Sequence, residues 1–148
     1  MQIGVIGPGE CSESTAALAE RVGSAIARHG ATLVCGGLGG VMRAAARGAR
    51  AAGGRTLGII PGSDFSAANE YIDVVVPSGL GEARNALVVR ASLAIVAIQG
   101  GYGTLSEIAF ALKTGRPVVG LDTWNISKDI ICASNPDEAV EKAIRLAE

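Results

Sequence analysis

The chain has 148 residues, of which 49% are hydrophobic and only 3% aromatic, with 21 glycines and thirteen Lys and Arg against fourteen Asp and Glu. That length suits one domain, 1–148, built around a single core. The balanced charge and the lack of a basic run argue against a nucleic-acid surface, and no apolar stretch approaches the ~20 residues that span a bilayer.

Ile3 to Ile6 reads as a short apolar strand ending in Gly7-Pro8-Gly9. Ser12 is placed to cap a helix through Leu18, Val22 and Ile26 to Gly30. Ala31 to Cys35 is a second strand, broken by Gly36-Gly37-Leu38-Gly39-Gly40, and Val41 to Ala52 a second helix that stops at Gly53-Gly54. Arg55 to Ile60 is a third strand, followed by a polar loop from Ser63 to Glu70. Ile72 to Val76 is a fourth strand, Glu82 to Ala91 a helix and Leu93 to Ile98 a fifth strand. A helix through Ile108 to Lys113 leads to the turn Gly115-Arg116-Pro117 and strand Val118 to Leu121. Ile130 to Ala133 forms an edge strand. Asn135-Pro136-Asp137-Glu138 opens the last helix with a cap, a proline at its first position and early acids.

Strands that alternate with helices and run continuously apolar predict a parallel sheet. The expected fold is α/β, one Rossmann-like domain with a mostly parallel, doubly wound sheet and helices on both faces. The abundance of glycine and alanine points to close helix–sheet contacts. Ligands of such sheets sit at the carboxyl ends of strands, where strand order reverses. Three glycine clusters fall there: Gly7-Pro8-Gly9, Gly36 to Gly40, and Gly100-Gly101-Tyr102-Gly103. Together they describe a pocket.

The central stretch is Gln99-Gly100-Gly101-Tyr102-Gly103-Thr104-Leu105-Ser106-Glu107, a strand, a glycine turn and a helix start. Unpaired amides at a helix N-terminus attract phosphate, and Glu107 is expected in the first turn beside it. Thr104 to Glu107 also spells a capping box, in which Glu107 would bond back to the Thr104 amide. Capping leaves Gly100, Gly101 and Gly103 unexplained.

Other chemistries fit poorly. Gly7-Pro8-Gly9 begins like a dinucleotide fingerprint, but Ser12 holds the third glycine position and the second strand ends in Cys35 rather than an acid. No phosphate-binding loop of the Gly-Lys-Ser type occurs. His29, the only histidine, falls near a helix end and reads as solvated. Cys11, Cys35 and Cys132 have no metal-ligand spacing and read as buried thiols of a reducing compartment. Neither a metal nor a cofactor is expected. With no basic leader before Gln2 to Ile6, the expected location is the cytoplasm. Any ionisable chemistry must come from carboxylates and arginines.

Gly36-Gly37-Leu38-Gly39-Gly40-Val41-Met42, followed by Gly100-Gly101-Tyr102-Gly103-Thr104-Leu105-Ser106-Glu107, resembles the paired signatures of the LONELY GUY proteins. These share a Rossmann-like fold with molybdenum cofactor carriers and the DNA-processing protein DprA. The resemblance implies hydrolysis of the N-glycosidic bond of a nucleoside 5′-monophosphate to free base and ribose 5-phosphate. It implies Arg84 and Glu107 as a catalytic pair. Gly100, Gly101, Gly103 and Thr104 would hold phosphate, and Gly36, Gly37, Gly39, Gly40 and Met42 would line the pocket. Gly7, Gly9, Asn85 and Tyr102 complete the expected nucleotide-binding set. An ionised carboxylate near the ribose would stabilise the positive charge that develops as the bond breaks. Arg84 would bind phosphate or base; read without the resemblance, it is a helix arginine paired with Glu82 or with a carbonyl at the sheet edge. Three positions depart from the pattern: Gln99 stands where those enzymes usually have proline, Asn85 where lysine follows the arginine, and Leu93 at a usual aspartate. The branch most resembled is bacterial. A non-catalytic carrier of a phosphorylated ligand uses the same cradle, whereas a DprA-like single-strand binder is disfavoured by charge balance and scarce aromatics. The expected partner is a small phosphorylated ligand, without nucleic acid or membrane, and the chain is expected to form a homo-oligomer of two or more copies.

Overall fold

The computed structural model describes residues 1–148. Its elements are β1 (Gln2–Ile6), α1 (Glu13–Arg28), β2 (Thr32–Cys35), α2 (Gly40–Ala51), β3 (Thr56–Ile60), β4 (Val74–Pro77), α3 (Asn85–Arg90), β5 (Ala94–Ile98), α4 (Tyr102–Lys113), β6 (Val118–Leu121), β7 (Ile130–Cys132) and α5 (Pro136–Ala147). The strands form one sheet in the order β4-β3-β2-β1-β5-β6-β7. Every pair is parallel, so the sheet expected to be mostly parallel is wholly so. The chain winds outward from β1 to β4, then crosses to β5 on the other side of β1. Strand order reverses between β1 and β5, and a crevice opens at their carboxyl ends.

Alternation along each strand divides the core into two layers. Ile3 and Val5 of β1, with Ala94, Val96 and Ile98 of β5, pack against α1, α2 and α5. Ile6, Ile95 and Ala97 face the other way, toward Val88 and Val89 of α3 and Ile108 and Ala111 of α4. All five residues of β5 are buried, as a strand covered on both faces requires. Caps set the helix ends: Ser12 accepts the Thr15 amide at 3.2 Å, and Asn135 accepts the Glu138 amide at 2.9 Å. None of the helices is long and apolar enough to cross a membrane.

Some glycines serve helix–helix rather than helix–sheet contact. A β-carbon on Gly23 would lie 1.9 Å from the Ala45 carbonyl oxygen, and one on Gly48 would lie 1.9 Å from the Glu20 carbonyl oxygen. These two residues let the backbones of α1 and α2 touch.

The helix expected over Glu82 to Ala91 is two pieces, a 3₁₀ turn at Gly81–Arg84 and then α3. The break falls at Arg84, whose side chain is drawn under the sheet edge. Strand β4 begins two residues later than expected because Asp73 is engaged with β3: its carboxylate accepts the Thr56 amide at 2.9 Å and the Thr56 hydroxyl at 3.1 Å. The polar loop contains a 3₁₀ turn, Phe65–Ala67, capped by Asp64. Only Cys35 is buried; Cys11 is half-buried and Cys132 exposed, because β7 is an edge strand, and all three thiols are free. His29 is exposed at the end of α1, as expected, with Nδ1 2.9 Å from the Ala25 carbonyl oxygen.

Candidate functional site

The crevice holds a pocket of about 290 Å³. Gly7, Pro8 and Gly9 enter it from β1, Gly36 from β2 and Met42 from α2. Arg84 and Asn85 close one side, and Gly101, Gly103, Thr104 and Glu107 of the β5–α4 segment close the other.

The amides of Gly100 through Thr104 donate to no protein acceptor, and α4 has no side-chain cap. A helix N-terminus with free donors favours an anion. Gly101 and Gly103 have ordinary negative φ, and a β-carbon there would meet nothing closer than Asn85 Nδ2 at 3.9 Å. Neither packing nor backbone conformation demands these two glycines; a side chain would occupy the pocket itself. Gly100 differs, since its φ of 125° and the Thr104 side chain 2.3 Å from a β-carbon both require glycine. The N-terminus of α2 is less open, because the Val41 amide already donates to the Pro8 carbonyl at 3.0 Å.

Arg84 is 8% exposed and held from behind. Its Nε donates to the Ile59 carbonyl at 2.7 Å, Nη2 donates to the Gly36 carbonyl at 3.2 Å, and Nη1 donates to Asn85 Oδ1. The reading of Arg84 as a partner of sheet-edge carbonyls therefore describes two of its five donors, a third goes to the Asn85 side chain, and Glu82 is not among its partners. One hydrogen on each terminal nitrogen remains free. Burial lowers the Arg84 pKa from its ordinary value, and the nearby Glu107 opposes that shift.

Glu107 lies in the second turn of α4, not the first as expected, because the helix begins at Tyr102. The side chain is 7% exposed, with no hydrogen bond to the Thr104 amide or to any other protein group. The capping box does not form: Thr104 is already inside the helix, so its amide is one of the free donors rather than a cap partner. Glu107 makes no direct ion pair with Arg84. Burial pushes the Glu107 carboxyl up from 4.5 to about 8, and the Arg84 charge recovers only part of that cost.

Of the other expected residues, Gly37, Gly39, Gly40, Gly100 and Tyr102 are outside the pocket wall. Gly40, at φ 56°, lets the Pro8–Gly9 backbone press on α2, since its β-carbon would lie 2.3 Å from the Pro8 oxygen. Gly37 presents its carbonyl to Asn69, which donates from its amide at 2.9 Å and its Nδ2 at 3.2 Å. Tyr102 is 84% exposed and stacks on Trp124, with ring centroids 6.3 Å apart. Three supporting residues have contacts to which the sequence reading assigned no role. Trp124 Nε1 donates to the Gly101 carbonyl at 3.1 Å, Ser106 Oγ donates to the Gly103 carbonyl at 2.6 Å, and Asn69 braces the Gly37–Leu38 turn. No local signal marks them, since each acts across a distance in sequence or through a common helix-surface residue type.

Fold and pocket together define a Rossmann-like α/β protein whose ligand crevice sits at the switch point of a parallel sheet. The chain belongs to the SLOG cluster4 family, whose model matches residues 1–147, and it is kin to the LONELY GUY and molybdenum cofactor carrier-like proteins. An uncharacterized protein of Archaeoglobus fulgidus is 44% identical over 144 residues, covering 97% of this chain and 95% of the relative. A cytokinin riboside 5′-monophosphate phosphoribohydrolase of Mycobacterium tuberculosis is 37% identical over 118 residues, covering 72% of this chain but only 62% of that enzyme. A molybdenum cofactor binding protein from Rippkaea orientalis superimposes with a TM-score of 0.93 at 34% identity, over 99% of this chain and 97% of its own.

Proposed function

We propose that this protein binds a small phosphorylated ligand, a nucleoside 5′-monophosphate, with the phosphate against the amides of Gly101 to Thr104. The observation that carries the proposal is the free amide row flanked by Gly101 and Gly103, two glycines the protein's own packing does not require. Arg84 offers its two free donors from the facing wall. Glu107 lies one turn deeper along α4, beside whatever the phosphate is attached to.

In its catalytic form the proposal is hydrolysis of the N-glycosidic bond. The C–N bond to the base breaks, water supplies the new C–O bond at the sugar, and the products are free base and ribose 5-phosphate. Arg84 and Glu107 touch the reacting groups, and the M. tuberculosis relative's activity supports this form. The carrier reading, in which the ligand is held and not cleaved, is favoured by the end-to-end likeness to the R. orientalis protein. A cytoplasmic homo-oligomer belongs to the same proposal. Calorimetric titration with AMP, paired with a base-release assay over a panel of nucleoside monophosphates, tests it. Binding with base release is the expected result. Binding without release leaves the carrier form, and no binding at millimolar AMP removes the phosphate site.

A further inference from the structure

Glu107 is the one feature of the pocket that an anion site does not call for. Around it the cavity presents donors, namely the free amides of α4, the Arg84 guanidinium and Asn85 Nδ2, beside walls that carry no charge, among them Val5, Ile6, Pro8 and Met42. A carboxylate among donors would normally be claimed by one of them. Here Glu107 is 7% exposed as a residue; its carboxyl meets only the pocket, has no hydrogen-bond partner in the protein and makes no ion pair with Arg84, whose guanidinium is instead tied to the Ile59 and Gly36 carbonyls and to Asn85. A buried, unpaired carboxylate is costly, and placed next to a bound phosphate it would also repel the ligand.

We propose that Glu107 takes part in binding as a neutral acid, so that the pocket takes up its phosphorylated ligand together with a proton that Glu107 donates to an acceptor atom on the ligand. The inference rests on the phosphorylated-ligand reading above and refines it. The recognised group beside the phosphate is a hydrogen-bond acceptor, a ring nitrogen or a sugar oxygen, and not a cation. The charged and titratable groups facing Glu107 are few. Arg84 approaches from the 3₁₀ turn before α3 and stays cationic. Cys35 approaches from β2, and burial pushes its thiol up to about 11, outside the working range. The Glu107 carboxyl itself is pushed up to about 8, which keeps its proton in place at neutral pH.

The test has two arms. In the first, the Glu107 carboxyl carbon is followed by NMR in the full-length wild-type protein, assigned by its disappearance in Glu107→Gln. A midpoint near 8 that moves higher on adding AMP is expected, and a midpoint at an ordinary carboxylate value overturns the proposal. In the second, AMP affinity is measured by calorimetry at pH 7 and 9.5. The AMP phosphate is already doubly ionised across that range, so its own titration does not intrude. Wild type is expected to lose roughly tenfold in affinity per pH unit above the midpoint, about thirtyfold by pH 9.5. Glu107→Gln, which cannot ionise, is expected to bind equally at both pH values, whatever its absolute affinity. Wild-type affinity that is level with pH, or a slope retained in Glu107→Gln, overturns the proton-linked proposal alone. If neither protein binds AMP or inorganic phosphate at any pH, the phosphate reading falls and this proposal falls with it.

Discussion

Replacing Glu107 by glutamine separates the cost of a buried charge from the shape of the side chain. The carboxyl titrates near 4.5 in the unfolded chain and is pushed up to about 8 in the fold by burial. Between those values the folded protein holds one more proton than the unfolded chain, so stability falls as pH rises. The contribution is intact below about 4.5, lost progressively through that window, and fully lost above about 8. At about 1.4 kcal/mol per pH unit, the span from 4.5 to about 8 sets a ceiling of roughly 5 kcal/mol, with roughly 3 kcal/mol already lost at pH 7. Glu107→Gln is neutral throughout. Its stability should match wild type at pH 4.5, exceed it by roughly 3 kcal/mol at pH 7, and exceed it most at pH 9. Other titrating groups act alike in both proteins and cancel in the difference. Urea unfolding followed by circular dichroism at the three pH values measures that difference, with equal slopes confirming that both unfold from the same compact state. Two stability curves that run parallel from pH 4.5 to 9 would refute the burial argument.

Gly36→Ala should act on Arg84 rather than on the fold. The new methyl would lie 2.7 Å from Arg84 Nη2 and 2.6 Å from Met42 Sδ, both movable ends of side chains, so the guanidinium leaves its bond to the Gly36 carbonyl. A charge-assisted bond of that kind is worth roughly 1.5–3 kcal/mol, so a modest drop in unfolding temperature is expected with a clear loss of AMP affinity; a variant unchanged in both shows that Arg84 is not held as described. For assembly, Phe65, Val74 and Val76 stand 63%, 55% and 38% exposed on and beside the β4 edge. Apolar exposure along a sheet edge predicts two or more copies in solution, and light scattering that gives a monomer mass at every concentration rejects it.

The alternation of apolar runs with helical stretches made the fold legible, because a doubly covered parallel sheet leaves that mark in any sequence. The glycine clusters located the crevice for the same reason: each follows a strand. What the pattern could not show was the part played by individual side chains across the crevice. Arg84 lies in a stretch that reads as an even helix, yet its bonds go to Ile59 of β3 and to Gly36 just after β2, 25 and 48 residues away, and the helix breaks where they form. The Thr104–Glu107 spacing suggested a capping box, but a box needs its first residue at the helix boundary. The boundary was set at Gly101 by the extended backbone there, three residues earlier than the spacing implied. Trp124 was illegible for a different reason. It reaches the Gly101 carbonyl from the β6–β7 connection, a contact fixed by sheet order and by no local motif.

The departures at positions 99 and 85 fall into one arrangement. Gln99 has φ 47°, a conformation closed to proline, whose ring holds φ near −65°. The loop that follows is instead fixed from the neighbouring connection, by Thr123 Oγ1 donating to the Gln99 carbonyl at 2.6 Å and Trp124 Nε1 to the Gly101 carbonyl. Asn85 accepts from Arg84 and donates toward Ser106 Oγ at 3.4 Å, joining the guanidinium to α4. A lysine has no acceptor and could not make the first of these bonds. Where the resembled pattern has lysine, Asn85 brings no cation to the pocket and holds the Arg84 guanidinium in place. With a single guanidinium left, an ionised Glu107 would cancel the charge that draws a phosphate in, whereas a protonated one leaves the pocket net positive and adds a donor. The free amides of α4 and the Arg84 guanidinium are the donors that would draw an anion in, and under the proposal above a neutral Glu107 adds to them where an ionised one would oppose them.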